Sequence, residues 1–540
     1  MSFEALRRGL RTAIVAAAAV ALSATAFAQI FYNEQAKDGR IYVFASGQRY
    51  DAFQKSGGAE IGVAITRPGY GPNGETVVFD SEDAINLYNF KHGLPGEAFA
   101  APKAAAPETP LQLKIGSATI IPIGFMDFTA VWRSTAAGSG IGTNFASIPY
   151  GNNIYQTSLS EFRLSMQNSR IGFRIDADVK KAHVIGYMEA DFLGNNPGNV
   201  DVSSNSNTLR SRVYWVDTRM GGFELLAGQT WSLITPGRTG ISPLPGNLFY
   251  TQVVDVNYQA GLYWGRIPEL RLVFHPSDKA AFAFALDNAD QYIGGSAGGG
   301  LVTLPKALAT SYSAQLNVGT NTLGVPNRAP DLIAKLALDP SKKFHFEVGG
   351  VVREFKVYNP TNSTTYSKTG GGGFGTLYFE LFKGLRVMGT GFLSNGGGRY
   401  IFGQAPDLIA NADGSLSLVK SNSMIAGLEY TNKNTLLYGY YSGIWVDQNA
   451  TLDADGKTPI GYGYVGSPAG QNHKIQEITL GFSQTFWKDG KFGALGLMGQ
   501  YSHFQRDPWY VAAGSPANAK LDEVFFNLRY TLPGSAPATK

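Results

Sequence analysis

Three short stretches have residue types and spacings that could do chemistry. Gly294-Gly295-Ser296-Ala297-Gly298 has the spacing of a nucleophile elbow, which needs a strand before the serine and a helix after it. It stands instead in a glycine-rich run, so turn formation accounts for it. Gly461-Tyr-Gly-Tyr-Val-Gly466 has dinucleotide-fingerprint spacing, but no helix pattern follows. Asp453-Ala-Asp-Gly456 begins like a calcium loop, lacks the closing carboxylate and reads as a turn. The histidines at 92, 183, 275, 345, 473 and 503 show no metal-ligand spacing. Ser502 and His503 have opposite strand parities, which argues against a lipase pair. No catalytic residue, cofactor or metal is therefore expected. The side chains that do carry a pattern are basic: Arg163, Arg174, Arg210, Arg212, Arg238, Arg271, Lys335, Arg353 and Arg529, with Glu189 and Asp191 among them. Lining a narrow, low-dielectric channel, such residues attract anions and raise their local concentration. Taken singly, each arginine is as readily a wall residue paired with a carboxylate such as Glu161, Glu189, Asp191, Glu269 or Glu347.

The stretch that positions these residues runs from Thr208 to Gln252. Leu209, Val213 and Trp215 share one strand parity, and Arg210, Arg212 and Tyr214 share the other. Gly221-Gly222 makes a tight turn, and Phe223 to Ser232 runs back as a second strand. In a membrane barrel the basic parity faces a water-filled lumen and the apolar parity faces lipid. The Gly/Pro-rich segment 233–255, whose only charges are Arg238 and Asp255, is expected to fold inward and narrow the pore.

Composition supports the same class. A basic start (Arg7, Arg8, Arg11), an apolar run from Thr12 to Ala21 and Ala26-Phe27-Ala28 make residues 1–28 a secretory signal peptide. Charge is balanced, +4 for the whole chain, so no nucleic-acid partner is expected. Cysteine is absent, glycine numbers 66, and no stretch after the signal approaches the ~18 apolar residues of a spanning helix. An exported, β-patterned chain of this kind fits an outer-membrane barrel in contact with lipid, which closes every backbone hydrogen bond between strands.

In chain order, residues 29–93 read as a small α+β periplasmic domain and 94–110 as a Pro/Ala linker. The barrel occupies 111–540. From Ile120 there are sixteen candidate strands, with short turns on one side and long loops on the other. The even count returns both chain ends to the same side. The segment 158–178 switches apolar parity between Met166 and Ile171, which requires a bulge near Asn168-Ser169 or two shorter strands. Tyr187, Phe192, Trp215, Trp231, Trp445, Trp487 and Tyr530 are candidates for interfacial girdles or lipid-facing packing.

Several blocks resemble the DcaP-like family of outer-membrane porins: Asn168-Ser-Arg-Ile-Gly-Phe-Arg174, Met188-Glu-Ala-Asp-Phe192, Leu209-Arg-Ser-Arg-Val-Tyr214, Leu226-Ala-Gly-Gln-Thr-Trp-Ser232 and Asn327-Arg-Ala-Pro-Asp-Leu-Ile-Ala-Lys335. The resemblance implies homotrimeric sixteen-stranded barrels that pass small anionic solutes, including dicarboxylates, with the third external loop folded inward. Family members often carry a periplasmic coiled coil where this chain has the unit at 29–93. The expected function is passive diffusion of small hydrophilic, anionic, carboxylate-type solutes. The alternatives are a structural or adhesive barrel with a blocked lumen and, further off, a lipase-type barrel enzyme.

Overall fold

The computed structural model describes residues 31–61, 64–94, 112–194, 205–248, 250–254, 258–295, 299–320 and 324–534. The signal peptide, nearly all of the linker, Ser296 and Asp255 lie outside the described residues. The chain forms two compact units, divided between Lys103 and Ala104.

In the first unit, a four-stranded sheet places Asn33–Lys37 beside Arg40–Phe44, then Thr76–Phe79, then Ile65–Arg67. Alternation along the strands gives each face its own apolar set. Val43, Val77 and Phe79 pack on Ala84, Ile85 and Tyr88 of the helix Glu82–His92. Tyr42, Phe44 and Val78 pack on Phe53 of the helix Gly47–Lys55. The Ser81 hydroxyl accepts from the Ala84 amide at 3.3 Å, and Gly93 ends the helix at φ 63°. The first edge strand has a polar sequence, NEQAK, and carries no period that reveals it in the sequence.

The second unit is a closed antiparallel barrel of sixteen staves. They are Ala118–Arg133, then Glu161–Ser165 continued by Arg170–Val179, Ala182–Asp191, Arg210–Met220, Phe223–Trp231, Arg266–Ser277, Ala280–Asp287, Asp331–Ser341, Phe344–Asn359, Thr364–Phe382, Leu385–Asn395, Lys420–Asn432, Thr435–Val446, Asn472–Asp489, Gly493–Pro508 and Ala519–Thr531. The shortest has 8 residues and the longest 19, which suits strands tilted across a bilayer. Both parts of the second stave pair with Ala118–Arg133, in registers one residue apart. Residues 166–169 are therefore the bulge that the parity switch demands. Large apolar side chains such as Phe128, Phe173, Phe284 and Phe526 stand exposed on the outer wall.

Two expectations are corrected. The sixth stave begins at Arg266, not near residue 256, so the third long connection extends to Gly265. The stave Arg210–Met220 also carries a bulge between Ser211 and Val213, which turns Arg212 and Val213 to the same side. Beyond it Trp215 is 4% exposed and faces inward, stacked on Tyr187 at 5.2 Å, while Tyr214 is 48% exposed on the outside. Hence Val213 and Trp215 do not meet lipid. Tyr187, Trp215 and Trp231 belong to the interior, whereas Trp487 and Tyr530 meet on the exposed wall, 6.1 Å apart.

Gly228 sits opposite Trp215 at φ 140°. A Cβ there would strike the Tyr214 carbonyl oxygen and stand 2.6 Å from the Trp215 Cα. Gly228→Ala is thus expected to destabilise the barrel by about 2 kcal/mol or more, read as a lower unfolding temperature in detergent. In the first unit, Glu34 is half-buried, which pushes its carboxyl up. Hydrogen bonds from Tyr32, His92 and Lys91 outweigh that and hold it below the usual carboxylate range. The resulting stability is present at neutral pH and is lost as pH falls through the depressed folded value. Amide exchange across 31–94 should therefore accelerate below about pH 4, and Glu34→Gln should show similar loosening already at pH 7.

Candidate functional site in the barrel lumen

The segment between Trp231 and Arg266 enters the barrel, and the wall grips its backbone. The Leu233 amide donates to Glu269 at 2.8 Å, the Gly237 amide to Glu347 at 3.1 Å and the Gly240 amide to Asp339 at 2.8 Å. On the far side the Val254 amide donates to Gln500 and the Ala260 amide to Glu477, each at 2.7 Å. Arg238 forms a bidentate pair with Glu429 at 3.0 and 2.7 Å and donates to the Tyr378 hydroxyl at 2.7 Å. Inward strand parity aims these wall acceptors at the segment, and their carboxyl and amide oxygens satisfy amides taken out of water.

This segment and other long connections divide the lumen. On the staves from Arg266 to Asn395 the inward parity mixes paired charges, such as Arg271 with Glu269 and Lys335 with Glu347, with apolar side chains, of which Val273, Ala283, Ile333, Val351, Phe374 and Phe392 are buried. They form one core with Ile234, Tyr263, Ile293, Leu316, Tyr400 and Ile409 of the connections. A wholly water-filled lumen, expected from strand parity, is therefore not what this side contains. The inward apolar residues there give the incoming loops a surface to pack on, and the buried charges between them bind the loop backbone.

The opposite side holds a cavity of about 490 Å³ between the face of the segment at 244–254 and the staves around the seam of the barrel. Arg170, Arg174, Arg238, Lys488 and Arg529 line it, against Glu189 and Asp489. Arg529 donates to Asp127 at 2.6 Å and lies over the Phe125 ring at 4.1 Å. Arg170 lies over the same ring at 5.0 Å, and Arg174 is bidentate on Asp176 at 2.8 and 2.7 Å.

The residues singled out in the sequence fall into four places. Arg174, Arg238, Arg529 and Glu189 line the cavity. Beside it Arg210 is bidentate on Asp191, at 3.0 and 2.8 Å, and Arg212 bridges Glu189 at 2.8 Å and Asp191 at 2.7 Å. Arg271, Lys335 and Arg353 are buried in the packed half, on Glu269 (2.6 Å), Glu347 (3.2 Å) and Asp407 (2.6 Å) respectively. There Lys335 also donates to the Thr235 carbonyl and Arg353 to that of Gly396, so they secure connections. Arg163 pairs with Glu161 at 3.3 Å and is 42% exposed. Sequence reading did not select Arg170, Tyr258 or Lys488. Arg170 shares parity with Arg174 on the strand Arg170–Val179, and that parity was the signal that could have found it. Ser502 is buried against Thr479 at 2.9 Å, while His503 bonds Asp522 on the outer side.

Neither a family model nor a curated relative matches the sequence. Solved structures do. The outer membrane channel DcaP of Acinetobacter baumannii is 17% identical, with 77% of this chain and 98% of that chain covered at a TM-score of 0.56. An anion-selective porin from Comamonas acidovorans is 13% identical, with 77% and 99% covered, at 0.42. OmpT of Vibrio cholerae is 12% identical, with 78% and 99% covered, at 0.41. The chain is a transmembrane β-barrel that shares its fold with the DcaP channel, as the sequence blocks suggest.

Removing Arg238 leaves Glu429 buried without its cation. Arg238→Ala is expected to cost about 3 kcal/mol and to free the segment from the wall. The measurable outcomes are a lower unfolding temperature in detergent and larger, noisier unit currents than those of the parent protein.

Proposed function

We propose that this protein is an outer-membrane porin through which small hydrophilic anions, of carboxylate type, diffuse down their gradients. The observation that carries the reading is the cavity, whose lining holds five basic residues and two acidic ones. The segment between Trp231 and Arg266 sets the size limit, and Arg170, Arg174 and Arg529 set the charge preference. In this reading the signal peptide directs export and lipid surrounds the outer wall. Three copies associate, and the unit at 29–93 lies in the periplasm.

Planar-bilayer reversal potentials in a KCl gradient test the proposal. They should favour chloride over potassium, and the triple variant Arg170→Gln, Arg174→Gln, Arg529→Gln should move the reversal potential toward the cation value. A cation preference in the parent protein would remove the anion reading and leave the pore. The filled half of the lumen favours a second reading, a structural or adhesive barrel, and complete absence of conductance would select it.

A further inference from the structure

Beside the cavity lies a group of charges that the protein leaves out of balance. Arg170, Arg210, Arg212 and Arg266 surround two carboxylates, Glu189 and Asp191. Arg210 and Arg212 take up both acids with short hydrogen bonds, and the Arg212 Nη2 donates to the Tyr258 hydroxyl at 3.2 Å. Arg170 is left with a 3.5 Å contact to Glu189 and a 3.5 Å hydrogen bond to the Tyr258 hydroxyl, and its Nε is buried with no hydrogen-bond partner among the described residues. Arg266 makes no ion pair with any described residue. Its guanidinium lies over Trp231 at 5.5 Å and Trp264 at 5.7 Å, and its Nη1 is buried and unpartnered. Glu189 and Tyr258 are both within electrostatic reach of Arg170 and Arg266. Asp255 falls outside the described residues, and one more carboxylate would still leave cations in excess.

Buried donors without acceptors are costly, and excess buried charge more so. A bound anion satisfies both. We infer that Arg170, on the cavity wall, and Arg266, behind Tyr258, form a binding site for one small carboxylate. Guanidinium forks match the two oxygens of a carboxylate, and the indoles of Trp231 and Trp264 with the Tyr258 ring offer its carbon end an apolar wall. Tyr258 holds φ 62°, a left-handed conformation for a non-glycine residue; its hydroxyl accepts from Arg170 and its ring meets both indoles edge-on. The site deepens the porin reading and rests on it: solute would pause here rather than merely drift past a charged wall.

Single-channel current recorded across a wide range of potassium acetate concentration, with potassium chloride in parallel, tests the inference. The parent protein should saturate in acetate and rise almost linearly in chloride. Arg266→Gln should raise the half-saturating acetate concentration roughly tenfold, the loss of one charge-assisted hydrogen bond. Arg170→Gln should do likewise, and Arg266→Lys should recover part of the loss. If Arg266→Gln does not assemble, the Arg170 and lysine variants carry the same test. Acetate curves that are linear, or that no variant shifts, overturn the inference while the porin reading stands. Equal saturation in chloride overturns the carboxylate assignment. A parent protein that conducts nothing overturns the porin reading, and this inference with it.

Discussion

The constraint on which the rest depends is closure of the sheet. Ala519–Thr531 pairs with Ala118–Arg133 from Glu523↔Arg133 to Thr531↔Phe125, so the barrel wall has no free edge. In hydrocarbon an unpaired strand edge would leave a row of amides and carbonyls unsatisfied, which is why the ring must close. The seam is reinforced on its inner side. Arg133, fully buried, donates to Glu523 at 2.8 Å and Glu161 at 2.9 Å. Lower down, Asp127 accepts from Arg529 at 2.6 Å and Asn527 at 2.5 Å. Outside the same strands, Phe128, Trp132, Phe526 and Leu528 are exposed. Each strand thus serves two solvents, one per face.

Once the ring is closed, the long connections become the means of partitioning its interior. They solve two problems together. Apolar residues such as Ile234, Tyr263 and Tyr400 are buried against the inner wall, and backbone amides that leave water find carboxylates waiting at matched positions. The buried cations of the packed half are consumed in this work, each with a short ion pair and a carbonyl. Near the seam Arg174, Arg238 and Arg529 are paired with Asp176, Glu429 and Asp127 and still line the cavity, while Arg170 keeps a buried Nε without a hydrogen-bond partner among the described residues.

Much of the architecture was legible in the chain. All sixteen staves were recognisable from alternating apolar residues and turn-forming pairs such as Gly221-Gly222, because strand periodicity and turn chemistry are local properties. Errors arose where one residue changed the phase. The bulge at Ser211–Val213 sent Trp215 inside, and the apolar run before Arg266 looked like strand although it packs as loop. An apolar side chain gives the same signal whether it meets lipid or a folded connection.

The sequence by itself determined the class of fold, the order of the strands and the presence of arginines at inward parity. Those depend on near neighbours along the chain. Only the tertiary structure decided which arginines face an opening. That choice depends on partners such as Glu429 for Arg238 and Asp407 for Arg353, 191 and 54 residues away, and on which half of the lumen the loops fill. Charge and parity are written locally, whereas burial and neutralisation are settled by contacts that exist only after the ring has closed.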